Sequence, residues 1–68
     1  MPRMTHLVEA FEIFMKYNPD QWLEGADHDI IYGPGYDDLD GLTDEDEARL
    51  KKLGWHRHDD YGGWYHFV

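Results

Sequence analysis

The chain has 68 residues, with 15 Asp and Glu against 6 Lys and Arg, a net charge of −9 with histidines neutral and a sequence pI near 4.6. The absence of cysteine excludes a disulfide scaffold and a thiolate metal site. No apolar run approaches the roughly 20 residues of a membrane span, and the negative excess argues against nucleic acid or an anionic membrane as a direct partner.

A chain this short implies one domain, residues 1–68, with a thin core, since a domain of this size buries only about 60% of the surface its unfolded form exposes. Eleven Trp, Tyr and Phe oppose the disorder that the low hydropathy would otherwise suggest, because each aromatic ring can bury about 150–250 Å². Glu9 and Glu12 interrupt the apolar residues near the N-terminus, so no signal-peptide core is read there and the cytoplasm is the expected location.

The first predicted element is an amphipathic helix over Met4–Tyr17. Leu7, Phe11, Phe14 and Met15, with Val8 and Ala10 beside them, form an apolar stripe at helical spacing, while Glu9, Glu12 and Lys16 fall opposite. Thr5 is the expected N-cap, and Pro19 disfavours helical geometry at Asn18. Asn18-Pro19-Asp20-Gln21 then carries the signals of a helical restart: a cap, a proline at the first position and a glutamine at capping-box spacing. One turn ending at Gly25 would carry Trp22 into the core.

His28–Tyr32 reads as a strand closed by Gly33-Pro34-Gly35, and Tyr36–Leu42 as an acidic loop. A second helix follows. Thr43 caps it, Asp44, Glu45, Asp46 and Glu47 fill its first turn, and Arg49, Lys51 and Lys52 lie toward its end, an order that complements the helix dipole. Gly54 is the left-handed stop, and Trp55 packs back on Leu50. Trp55–Asp59 and Trp64–Val68 form a hairpin around Asp60-Tyr61-Gly62-Gly63. The expected fold is α+β: an N-terminal amphipathic helix and a short second helix on a small, largely antiparallel three-stranded sheet ending in a C-terminal hairpin.

The charge is segregated. Between Lys16 and Arg49 there is no Lys or Arg, and that interval holds eleven acids: Asp20, Glu24, Asp27, Asp29, Asp37, Asp38, Asp40, Asp44, Glu45, Asp46 and Glu47. Acidic runs commonly serve only solubility. That explains the sign but not the lack of interspersed bases, and like charges so dense cost a small domain stability. A basic partner would account for both. Residues i and i+2 of a strand lie about 6.6 Å apart on one face, near the spacing of successive phosphates. Asp27 and Asp29 have that relation, as do Asp38 and Asp40 if their loop is extended. Such carboxylates compete for the Lys/Arg groove of a nucleic-acid-binding protein, whose hold on DNA is largely electrostatic. Tyr32 and Tyr36 flank the acids as rigid anchors. The expected partner-binding residues are therefore Asp27, Asp29, Tyr32, Tyr36, Asp37, Asp38, Asp40, Asp44, Glu45, Asp46 and Glu47.

Other chemistries fit less well. An EF-hand register on Gly41 places Asp38, Asp40 and Glu47 at ligand positions, but Tyr36 at the first position, Thr43 at the eighth and the lack of an entering helix break the pattern. This leaves weak divalent-cation binding as a third reading. His56 and His58 share a strand face, and His66 on the opposite arm could join them as a zinc ligand; hydrogen-bonded or solvent-facing histidines are the plainer alternative. There is no cysteine or serine nucleophile, no Gly-rich phosphate loop and no zinc-protease motif, and a thin core leaves little room to preorganise a site, so an enzyme is not expected and no cofactor is implied. Trp55, Trp64, Tyr65 and Phe67 could form a stacking platform, although core packing suits most of them better. An aromatic patch used by a non-enzymatic structural or regulatory protein–protein interaction module is the second reading. A thin core permits a homodimer as readily as a monomer.

The tail Leu53-Gly54-Trp55, Asp59-Asp60-Tyr61-Gly62-Gly63-Trp64 and Phe67 resembles a pattern in short acidic proteins of phages and mobile elements, over the stretch from Leu42 onward. Some small acidic proteins of this kind are anti-CRISPR inhibitors that block target-DNA binding by the type I Cascade complex. The resemblance implies a phage-encoded DNA mimic acting in the cytoplasm of a bacterial host, with a basic nucleic-acid-binding protein, a Cascade subunit among the candidates, as its partner. It assigns no binding residues.

Overall fold

Helical periodicity sets the first element, α1, at Met4–Tyr17 in the computed structural model, which describes residues 2–68. Arg3 rather than Thr5 occupies the N-cap, its carbonyl accepting from the N–H groups of His6 (3.0 Å) and Leu7 (3.2 Å). The helix buries Ala10 and Phe14 and half-buries Leu7, Phe11 and Ile13, while Val8 and Met15 stay exposed, so the buried face is narrower than the apolar stripe.

No helical restart follows. Asn18 leaves α1 in an extended conformation. Its side chain accepts from the Asp20 N–H (3.0 Å) and its carbonyl from the Gln21 N–H (3.2 Å), closing a turn instead of capping a helix. The chain then runs extended into a strand that was not expected, β1 at Gly25–Asp27. Trp22, expected in the core, is 79% exposed.

The sheet has four strands, not three. β2 spans Ile30–Gly35, α2 Asp44–Lys52, β3 Trp55–His58 and β4 Gly63–Phe67, with a 3₁₀ turn at Tyr36–Asp38 between β2 and α2. The spatial order is β1-β2-β4-β3, antiparallel throughout. Gly33-Pro34-Gly35 does not end the strand but continues it. The register against β4 shifts between Tyr32 and Gly35, and such an irregularity accommodates a proline that has no N–H to donate.

Both helices cover one face of this sheet. Cross-strand pairing puts Trp55 opposite His66, Arg57 opposite Trp64 and Ile31 opposite His66, all on the helix side. Trp55 and Trp64 are buried there with Leu39, Leu50, Leu53, Ala10 and Phe14. The Trp55 ring meets Phe14 edge-on at 5.0 Å and Phe11 at 6.2 Å. Burying about 200 Å² of indole contributes roughly 5 kcal/mol, so two tryptophans supply much of what holds so small a core. Gly33 is needed for the contact, because a Cβ there would sit 2.9 Å from the Trp55 ring.

α2 follows its local signals. The Thr43 side chain accepts from the Asp46 N–H at 3.1 Å, the first turn is acidic and the last basic. Gly54 takes φ +96° and donates its N–H to the Lys51 carbonyl.

Candidate functional site

Eleven acids without an intervening base need not remain unpaired in the fold. Two do not. Lys16, at the end of α1, lies 2.5 Å from the Asp46 carboxylate, and Arg57, on β3, lies 3.1 Å from Glu47. These two are the half-buried acids of the segment, with side chains 17% and 28% exposed. Asp46 also accepts from the Tyr17 hydroxyl, and the hydrogen bonds from Lys16 and then Tyr17 hold its carboxyl below the usual carboxylate range. The third intramolecular pair, Arg49 with Glu9, joins α2 to α1, and its hydrogen bond lowers the Glu9 carboxyl in turn. Asp46 and Glu47, expected at a partner interface, are therefore engaged within the fold.

The other nine acids of the segment, Asp20, Glu24, Asp27, Asp29, Asp37, Asp38, Asp40, Asp44 and Glu45, are exposed. Among the described residues none has a Lys or Arg within ion-pair distance. They do not form the expected phosphate ladder. Asp27 ends β1 and Asp29 lies in the tight turn to Ile30, with His28 between them at φ 52°, so the two are not strand neighbours on one face. Asp37 and Asp38 lie on the 3₁₀ turn and Asp40 in the following turn, so Asp38 and Asp40 are not in extended chain either. β2 runs between the two groups. At a rise of about 3.3 Å per residue its length keeps Asp27 and Asp29 roughly 17 Å or more from the Asp37–Asp40 cluster. Glu24 belongs to the second cluster: with Asp38 it places negative charge near the Tyr61 hydroxyl, whose pKa is raised by burial and by these two charges.

The two tyrosine anchors differ in role. Tyr36 packs against the core, with the Arg57 guanidinium 4.5 Å from its ring centroid and Glu47 on the same guanidinium. It belongs to an internal cation–carboxylate contact and is not a free anchor. Tyr32 lies on the sheet face away from the helices. Cross-strand pairing gathers Ile30, Tyr32, His56, His58, Tyr65 and Phe67 on that face, where no helix covers them. Of the aromatics considered as a platform, Trp55 and Trp64 are core, while Tyr65 is half-buried on the open face and Phe67 is 51% exposed there.

The three histidines do not converge. His56 and His58 face the open side, whereas His66 pairs with Trp55 on the helix side and is 6% exposed. Its two ring nitrogens face the carbonyls of Leu53, at 3.1 Å, and Phe67. It is a structural histidine that ties the end of α2 to β4. Among the described residues no group of three or more His, Cys, Asp and Glu is placed to hold a metal ion. No helix among them is long and apolar enough to cross a membrane.

Sequence reasoning missed Tyr61. Its ring lies 5.3 Å from Tyr32, its hydroxyl donates to the Gly33 carbonyl, and Gly63 leaves room for the ring, since a Cβ there would come within 2.6 Å of it. The Gly62-Gly63 pair is a turn signal in the sequence, and Gly63 also marks this close approach. Comparison of the chain with protein-family models, curated proteins and solved structures gives no match.

Proposed function

We propose that this protein is a non-enzymatic binding module that presents carboxylates to a basic, nucleic-acid-binding partner and competes with nucleic acid for it. The division among the acids carries the reading. The two half-buried acids of the base-free segment pair with Lys16 and Arg57, and among the described residues the nine exposed ones have no Lys or Arg within ion-pair distance. Uncompensated like charge lowers the stability of a small domain, and a cationic partner relieves it while speeding encounter. The densest group, Glu24, Asp37, Asp38 and Asp40, is the part best placed to meet a phosphate-binding groove; Asp27 and Asp29 form a separate point of negative charge at the other end of β2. The tail resemblance suggests the setting: phage-encoded inhibition of target-DNA binding by type I Cascade in the cytoplasm of a bacterial host.

The test is DNA binding by purified Cascade with increasing amounts of this protein, at about 50 mM and about 300 mM salt. Loss of DNA binding at low salt, relieved at high salt and abolished by combined Asp37→Lys, Asp38→Lys and Asp40→Lys substitutions, supports the proposal. Undiminished DNA binding by Cascade removes the setting. If, in addition, the immobilised protein retains no nucleic-acid-binding protein from host lysate at low salt, the mimicry reading fails.

A further inference from the structure

The uncovered sheet face carries no Lys or Arg. Its side chains, set by the register, are Ile30, Tyr32, His56, His58, Tyr65 and Phe67, with Asp27 at one end, while the sheet's one arginine, Arg57, points to the helix side. The rings form a connected array. Tyr65 lies 5.4 Å from His56, 5.2 Å from His58 and 5.4 Å from Phe67, and Tyr61 lies 5.3 Å from Tyr32. Most of these contacts are edge-to-face, and Tyr32, Tyr61 and Tyr65 are only partly buried. Glu24 and Asp38 bring negative charge to the Tyr61 end.

Electron-rich ring faces beside unpaired carboxylates attract a cation, and more strongly a planar guanidinium than an ammonium, because the guanidinium can stack and bridge to a carboxylate at once. The protein already makes one such contact internally: Arg57 lies over the Tyr36 ring at 4.5 Å and reaches Glu47 at 3.1 Å. We propose that the open sheet face seats an arginine-bearing segment of the basic partner, with the guanidinium against Tyr32, Tyr61 and Tyr65 and its outer edge toward Glu24 and Asp38. This rests on the acidic-partner reading above and specifies the partner's chemistry. A second copy of the chain is a poorer occupant, since two chains of −9 each would have to bring acid-rimmed faces together.

The experiment compares an oligo-arginine peptide, the matched oligo-lysine peptide and the neutral citrulline analogue by titration at about 50 mM salt. The arginine peptide should bind at least about threefold more tightly than the lysine peptide, and citrulline should not bind measurably. Tyr65→Leu should remove the arginine preference. His56→Lys, which adds a cation to the exposed face, should weaken the arginine peptide by about fivefold. Asp37→Asn with Asp38→Asn should weaken both cationic peptides, and the arginine peptide more, because Asp38 is one of the carboxylates its guanidinium bridges to. In the unaltered protein, arginine peptide should shift the ring resonances of Tyr32 and Tyr65 with no need of a variant that folds. Equal affinity for the two cationic peptides, with tyrosine resonances unmoved, overturns this inference and leaves the acidic reading standing. No binding of either peptide overturns both. A concentration-dependent dimer in which the Tyr65 ring is buried assigns the face to a second copy and overturns the inference.

Discussion

The Tyr17 hydroxyl, at the end of α1, donates to the Asp46 carboxylate in the first turn of α2, and accepts at 3.2 Å from the backbone N–H of Thr43, the residue that caps that helix. One phenol thus joins the two helices at the point where the acid-rich segment enters α2. Lys16 reaches the same carboxylate from the neighbouring position on α1. The local capping of α2 and its docking on α1 are therefore one arrangement, and an acid that looked like interface chemistry is part of it.

Tyr17→Phe removes the hydroxyl and leaves the ring. A hydrogen bond to a charged acceptor contributes about 1.5–3 kcal/mol, less where solvent reaches it. The expected loss is about 1–2 kcal/mol, which for a domain of this size lowers the melting temperature by roughly 5–15 °C. Thermal unfolding followed by far-UV circular dichroism checks it. An unchanged melting temperature would mean that the contact between the helices carries no stability.

Acid should destabilise the protein through the same contact. The Asp46 carboxyl is lowered by Lys16 and Tyr17, and Glu9 by Arg49, so both bind protons more readily in the unfolded chain than in the folded one. Their contribution is fully present above the ordinary carboxylate range, near pH 4, and is lost as pH falls through the folded values. Melting temperatures between pH 7 and pH 2 should fall steeply at the acid end. Asp46→Asn, which can still accept from Tyr17, should flatten that fall and lower stability at pH 7.

Two glycines of positive φ should respond differently to alanine. Gly41, at φ +82°, has open space where a Cβ would go, whereas Gly54, at φ +96°, would place its Cβ 2.8 Å from Nε2 of His66. Gly41→Ala should cost only the left-handed backbone term, about 1–2 kcal/mol. Gly54→Ala should cost that and the displacement of a buried ring held by carbonyls, about 3 kcal/mol or more. Urea unfolding of the two variants checks the order; equal losses would mean that His66 moves freely.

Charge reversal should separate the acids by role. Asp37→Lys, Asp38→Lys and Asp40→Lys together should leave the melting temperature unchanged or raise it, because they relieve repulsion among unpaired carboxylates, while weakening capture of a basic partner. Asp46→Lys or Glu47→Lys should lower the melting temperature, since each places a cation against Lys16 or Arg57. Differential scanning calorimetry run beside the binding assay distinguishes the two groups.

Much of this was legible from short range. The limits of α1, the capping of α2 by Thr43 and the stop at Gly54 depend on residues within one or two turns of each other. The C-terminal hairpin was legible from two aromatic runs around a glycine-rich turn. β1 was not. Gly25-Ala26-Asp27 has no strand preference of its own and is extended because β2 offers it a ladder. The helical restart does not form because the Asn18 side chain closes a turn as readily as it caps a helix, and the chain beyond it pairs with β2.

By itself the sequence determined the two helices, the sense of the charge and its segregation into one base-free stretch, because periodicity, caps and net charge are properties of neighbouring residues. Tertiary structure alone decided which of those charges remain available. Lys16 and Arg57 lie outside the stretch in the chain but reach Asp46 and Glu47 in space, removing two acids from the surface and leaving nine. It also decided which aromatics face outward, since a strand's two faces are assigned by the element that covers one of them. Here both helices cover the side of Trp55 and Trp64, and Tyr32, Tyr65 and Phe67 are left on the other.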